Sequence, residues 1–90
     1  MRLSARNLEF EAAAFEDLAW WIQQDRRKTR RILNLLREIQ RDPFRGTGKP
    51  EALKGDLSGF WSRRIDRANR IVYRVEENRI IISACRGHYD

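Results

Sequence analysis

Apolar positions recur along this chain at two different periods, and the change from one to the other divides it into elements. Asn7 to Glu11 alternates polar and apolar residues, the pattern of a short half-buried strand. Met1 to Arg6 form an N-terminal extension ahead of it. Phe15, Leu18, Ala19 and Ile22 then fall at i, i+3, i+4 and i+7, which predicts an amphipathic helix over Ala12 to Gln24. Ile32, Leu35, Leu36 and Ile39 repeat the spacing in a second helix, for which Asp25 is the expected cap. Pro43 disfavours helical geometry at Asp42, so this helix is expected to end there or one residue earlier. Two helices joined so tightly form an antiparallel hairpin.

Both prolines and four of the five glycines lie between residues 43 and 59, which predicts a long loop, and loops of that length are often functional. Beyond it, Trp61 to Ile65, Arg70 to Val75 and Arg79 to Cys85 are β-branched and aromatic runs separated by short polar connections. They predict a meander of three antiparallel strands. The helices need a sheet face on which to bury their stripes, so the expected fold class is α+β, with the helical hairpin packed on a small antiparallel sheet of four strands.

Ninety residues make one domain, residues 1 to 90, with one modest core and a shallow site at most. No stretch approaches the length of an apolar membrane span, and the N-terminus lacks the apolar run of a secretory signal. A cytoplasmic chain with no membrane partner is expected. One cysteine, Cys85, and one histidine, His88, are too few for a structural zinc site, so neither a metal nor another cofactor is expected. Nineteen Lys and Arg against thirteen Asp and Glu give a net charge of +6, which favours polyanionic partners, nucleic acid first. The charge is uneven: the first 25 residues are net acidic, whereas Arg26, Arg27, Lys28, Arg30 and Arg31 fill five of six consecutive positions. Cations in the first turns of a helix cost about 0.3 to 1 kcal/mol each. Stability does not explain them; binding to a phosphate backbone does, beside the plainer reading of a solvated face.

Three further groups carry candidate chemistry. His88 has the side chain suited to proton transfer at neutral pH, although a solvated tail residue is an equal reading. Glu51, fixed beside Pro50 and flanked by Lys49 and Lys54, offers a carboxylate able to take a proton from a ribose 2′-hydroxyl; the alternative is a surface ion cluster. Arg63, Arg64, Arg70, Arg74, Arg79 and Arg86 stud the strands, and arginine's donor fork suits a phosphate in its transition state. Two or three of these are expected to be functional and the rest to be solvated. Period two puts Arg70 and Arg74 on the face of Val72, with Ile71, Tyr73 and Val75 on the other. Phe60 and Trp61 are assigned to the core.

With Lys49-Pro50-Glu51-Ala52-Leu53-Lys54, Leu57-Ser58-Gly59-Phe60-Trp61-Ser62-Arg63-Arg64-Ile65, Arg70-Ile71-Val72-Tyr73 and Ala84-Cys85-Arg86-Gly87-His88-Tyr89, the chain closely resembles the YoeB (Txe) branch of the RelE-like toxins. The resemblance covers nearly everything from Asn7 on. It implies a RelE-like, microbial-RNase-like fold and a toxin of a bacterial type II toxin-antitoxin pair, a ribosome-dependent endoribonuclease that cuts mRNA in the A site. It also implies roles: Glu51 as general base, Arg70 as transition-state stabiliser, His88 as general acid and Tyr89 as a substrate-orienting residue, with Lys49, Lys54 and Arg64 near the substrate phosphates. The implied partners are a cognate antitoxin and the 70S ribosome with its mRNA, whose ribosomal RNA the basic second helix would grip. A homodimer is implied as well, with Trp20 or Trp21 as candidate interface residues. Asn69, where a histidine is frequent, Ala52, where a proline is frequent, and Asp90 after the His-Tyr pair depart from the pattern. Two alternatives stay open: a relative resembling the ParE toxins, which inhibit gyrase by binding, and a non-catalytic RNA- or ribosome-binding module.

Overall fold

Asp25 ends one helix and starts the next. Its extended backbone donates a hydrogen bond from N–H to the Trp21 carbonyl at 2.8 Å, closing α1 (Ala12–Gln24), while its carboxylate accepts from the Lys28 N–H at 3.0 Å and caps α2 (Arg26–Arg41). These elements belong to a computed structural model that describes residues 6–87; residues 1–5 and 88–90, among them His88, Tyr89 and most of the N-terminal extension, lie outside the described part. Helix α2 stops before Pro43 and buries the four apolar residues the spacing selects, Ile32, Leu35, Leu36 and Ile39. Each contributes roughly 1.5 to 3 kcal/mol on leaving water.

Helix α1 is turned differently from expectation. Ala14 and Trp21 are buried and Leu18 is half-buried, whereas Phe15, Ala19 and Ile22 face solvent. Apolar residues surround most of this helix, so two stripes competed in the sequence, and the one containing Trp21 faces the sheet. The Trp21 indole N–H then finds the Cys85 carbonyl at 2.8 Å, so its polar edge is satisfied inside the core.

The sheet has five strands, in the order β1 (Asn7–Phe10), β5 (Arg79–Ala84), β4 (Arg70–Val75), β3 (Phe60–Arg64), β2 (Glu51–Ala52). Strands β3 to β5 pair antiparallel as the three-strand meander predicts, and β2 adds antiparallel to β3, but β1 runs parallel to β5, with Leu8 opposite Ile80 and Phe10 opposite Ile82. The sheet is therefore mixed rather than purely antiparallel. The predicted loop also contains structure: β2 and a 3-10 turn at Gly55–Leu57 interrupt it, two elements too short to show a period. Leu8, Phe10, Ile71, Tyr73, Ile80 and Ile82 meet both helices in one core. The opposite face carries Glu51, Ser62, Arg64, Arg70 and Val72, and no helix among the described residues covers it. Phe60 lies on this second face, half-buried beneath the Arg74 guanidinium at 5.6 Å, and so is not part of the core; Trp61 packs at the core's margin against Phe44.

Candidate active site

Strand pairing decides which of the candidate residues meet. Glu51 is directly opposite Ser62, Ser62 opposite Val72, and Arg64 opposite Arg70, so residues from three strands share the open face. An Arg70 Nη1 lies 3.7 Å from Glu51 Oε1 and donates to Ser62 Oγ at 3.4 Å. Glu51 is exposed, while Arg70 keeps about a fifth of its side chain accessible. One donor edge of Arg70 thus rests against its neighbours at the rim of an open surface, where a phosphate can replace the carboxylate. Ser62, fully buried, escaped the sequence reading, although the alternation Phe60, Ser62, Arg64 already put it on the face of Arg64.

Lys49 adopts a left-handed backbone, φ 54°, at the bend entering β2. The bend is tight because Gly48 O accepts from Arg64 N–H at 2.7 Å, and a Cβ on Gly48 would meet Arg64 O at 3.0 Å. Lys49 thus stands at a bend tied to the backbone of Arg64, and both residues are exposed. Lys54 is exposed at the start of the 3-10 turn, beyond the end of β2.

The last described residues are held from two sides. On one, Asp17 Oδ2 accepts from Cys85 N–H at 2.9 Å and Trp21 donates to Cys85 O, while Arg86 stacks on Trp20 with its guanidinium 3.7 Å from the ring centre. On the other, Gly87 O accepts from Arg70 N–H at 2.8 Å and Gly87 N–H donates to Asn69 Oδ1 at 2.8 Å. Gly87, which precedes His88 in sequence, is thereby fixed beside Arg70. Burial, reinforced by Asp17, pushes the Cys85 thiol up to about 12 and keeps it an inert core group. Trp21 is buried and so unavailable to a partner, whereas Trp20 is partly exposed. Strand β5 carries one extra residue where Val72 and Tyr73 pair with Ala84 and Ile82, which leaves Ser83 unmatched in a bulge two residues ahead of this segment.

Arg63 has a different part from its neighbour Arg64. It points into the core face, is fully buried, and donates to Tyr73 Oη at 3.3 Å, Glu38 Oε1 at 3.1 Å and the carbonyls of Asp42, Arg45 and Thr47 at 2.6, 2.6 and 3.2 Å. These close the C-terminal end of α2 and shape the chain that follows it. The Tyr73 hydroxyl, its pKa raised by burial, donates to Pro43 O at 2.6 Å in the same knot. The backbone and hydroxyl of Thr47, with Arg63, hold the Glu38 carboxyl below its ordinary value. Arg63 thus leaves the set of candidate phosphate ligands and becomes a scaffold residue. Arg74 and Arg79 engage Glu76 and Glu9 in surface ion pairs.

The basic start of α2 divides as well. Lys28 binds Asp66 at 2.8 Å, and Arg31 donates to the carbonyls of Ile65 and Arg64 at 2.7 and 3.1 Å, tying α2 to the β3–β4 turn. Burial pushes the Asp66 carboxyl upward, but Lys28, the Ala68 N–H and the Asn69 amide together outweigh it and bring it to about 2. Arg26, Arg27 and Arg30 are exposed, with no ion pair among the described residues. Among those residues, too, no three His, Cys, Asp or Glu side chains gather as a metal-holding group, and no helix is long and apolar enough to cross a membrane.

Residues 10–89 match the model of the YoeB-like toxins of bacterial type II toxin-antitoxin systems. The chain belongs to the YoeB family. It is 50% identical to toxin YoeB of Mycobacterium bovis over 84 residues, 93% of this chain and 99% of that one. Among solved structures, the YoeB dimer from Staphylococcus aureus superposes with a TM-score of 0.87 at 42% identity, covering 94% of this chain and 99% of that one. The YoeB–YefM complex from the same organism gives 0.84 at 41% identity, covering 93% and 98%. The toxin-antitoxin complex RelBE2 of Mycobacterium tuberculosis, at 20% identity and a TM-score of 0.73, covers 93% of this chain and 99% of that one and shows that the RelE-like α+β fold is shared. This YoeB-family chain is accordingly a type II toxin, and its family match spans the β2–β4 face described above.

Proposed function

We propose that the open sheet face is the active site of a ribosome-dependent endoribonuclease that cuts mRNA in the ribosomal A site. The observation that carries this reading is the meeting of Glu51 and Arg70 at 3.7 Å on a helix-free face, with Gly87 bonded to the Arg70 backbone beside them. Glu51 takes the proton from a ribose 2′-hydroxyl as that oxygen attacks the adjacent phosphorus. Arg70 binds the non-bridging oxygens, where negative charge grows as the fifth oxygen adds. His88 gives its proton to the departing 5′-oxygen, which leaves a 2′,3′-cyclic phosphate and a 5′-hydroxyl, and Tyr89 orients the nucleotide. Every atom and proton is accounted for by these groups. Lys49, Arg64 and Lys54 supply positive charge along the path of the flanking phosphates, with Arg64 nearest Arg70 by register.

Ribosomal RNA is met by the exposed Arg26, Arg27 and Arg30, with Lys28 and Arg31 bracing the helix that presents them. A cognate antitoxin uses charge in the same way: an acidic segment, disordered until bound, folds over the Arg-rich sheet face in the cytoplasm. A second copy of the chain has the exposed Phe15 and Ile22 of α1 and Leu33 of α2 to cover, in place of the buried Trp21.

The test is 5′-end mapping of a defined message with purified protein, in the presence and absence of programmed ribosomes. Cuts inside the A-site codon that need the ribosome, and fall at least 100-fold in Glu51→Gln and His88→Gln, are expected. Full activity in both variants refutes the mechanism. No cuts at all, with translation or gyrase still inhibited, would make the protein a binder.

A further inference from the structure

Asn69 stands at the β3–β4 turn, where its backbone carbonyl already accepts from Ile65 N–H at 2.8 Å and Asp66 N–H at 3.2 Å. Any residue supplies that carbonyl. The side chain is used for something else: Oδ1 accepts from Gly87 N–H at 2.8 Å, and Nδ2 donates to Asp66 Oδ1 at 3.0 Å and lies 3.4 Å from Oδ2. The position therefore demands an acceptor on one side and a donor on the other, which an amide provides and neither a carboxylate nor an apolar side chain does. Asp66 is itself immobilised by Lys28 Nζ at 2.8 Å and Ala68 N–H at 2.8 Å. A chain of bonds thus runs from α2 through Lys28, Asp66 and Asn69 to Gly87.

We propose that Asn69 is a positioning residue of the cleavage reaction: it fixes the peptide unit of Gly87, and so the point from which His88 departs, against the backbone of Arg70. The proposal rests on the reading of His88 as the proton donor. Gly87 needs such a tether. It has φ 82° and open space where a side chain would stand, so without the bond to Asn69 the one hydrogen bond left to it among the described residues is that from Arg70 N–H to Gly87 O. A proton donor displaced by about 1 Å costs on the order of 100-fold in rate.

His88 is the chain's single histidine, so its imidazole signals in an NMR spectrum are unambiguous. The experiment compares the full chain with Asn69→Ala and Asn69→Asp by three readouts: amide exchange at Gly87, the ring signals of His88, and single-turnover cleavage on programmed ribosomes. In Asn69→Ala, Gly87 exchange is expected to accelerate at least tenfold and the His88 signals to move toward those of a free peptide. Cleavage should fall about 10- to 100-fold with the half-saturating ribosome concentration unchanged, a split that a loss of ribosome binding would not produce, and exchange at core amides should stay unchanged, which a general loss of folding would not allow. Asn69→Asp keeps an acceptor for Gly87 and should recover part of both the protection and the rate; it also decides the matter if Asn69→Ala does not fold. Unchanged Gly87 exchange and His88 signals overturn the proposal, whether or not cleavage falls. Absence of cleavage by the unsubstituted chain overturns the nuclease reading instead, and the two NMR readouts then report on the tether alone.

Discussion

Replacing Arg63 by alanine tests the scaffold reading most directly. The substitution removes a fully buried guanidinium and strands what it bound: the carbonyls of Asp42, Arg45 and Thr47, the Tyr73 hydroxyl and the Glu38 carboxylate. Removing one partner of a buried charged network costs about 3 to 5 kcal/mol, because the groups left behind keep their desolvation penalty. A chain of this size has a total stability of roughly 5 to 13 kcal/mol, so Arg63→Ala removes about a quarter of it or more. At about 4 to 8 °C per kcal/mol for a domain of this size, the melting temperature should fall by at least about 12 °C. Urea unfolding followed by tryptophan fluorescence measures the loss. Arg64→Ala, one position on but exposed, is the control and should change stability by no more than about 0.5 kcal/mol. A loss under about 1 kcal/mol for Arg63→Ala, or equal losses for the two variants, would refute the assignment.

Gly48→Ala is expected to cost about 1 to 3 kcal/mol, since the new Cβ meets the Arg64 carbonyl at 3.0 Å from a backbone with φ 88°; chemical denaturation checks it. Asp66 has a folded-state pKa below its ordinary value, so the stability it contributes is complete above about pH 4 and is lost as pH falls toward 2. Acid unfolding of Asp66→Asn should therefore lack a limb that the unsubstituted chain shows in that window. Changing Arg26, Arg27 and Arg30 together to serine should weaken ribosome binding and flatten its dependence on log salt by about two to three, read from sedimentation at several salt concentrations, with no fall in melting temperature, since these cations oppose the helix dipole.

What the sequence revealed depended on how one-sided each element is. Helix α2 has a single apolar stripe among charges, and all four of its selected residues are buried. Helix α1 is apolar on several sides, so period alone could not choose between Phe15–Ala19–Ile22 and Ala14–Leu18–Trp21; contact with β5 made the choice. Two residues of β2 hold no period, and the parallel pairing of β1 with β5 is a long-range event that no local pattern encodes. The alternation of β4 was legible, which placed Arg70 and Arg74 correctly on the face of Val72. Its counterpart in β3 sets adjacent arginines to opposite tasks: Arg64 at the surface, Arg63 inside. Parity separates them, but only the fold shows that three carbonyls converge where Arg63 ends. Glu51, His88 and the strand arginines stood out by residue chemistry and took their separate roles from the resemblance, while the contact between Glu51 and Arg70 required the register of three strands.

The pairing of β1 with β5 also bears on how the molecule is born. The first strand to be synthesised has no neighbour until the last one has emerged, since its partners run from Arg79 to Ile82. During translation the helical hairpin and the β3–β4 hairpin can form from local contacts, but the sheet stays open on the β1 side, and pairings between distant segments are the slow part of folding. Gly87, and with it the tie to Asn69 and Arg70, is made later still. A nascent chain therefore carries β1 as an unpaired strand through the synthesis of every element between it and β5, and the sheet closes only when Arg79 to Ile82 are free to pair.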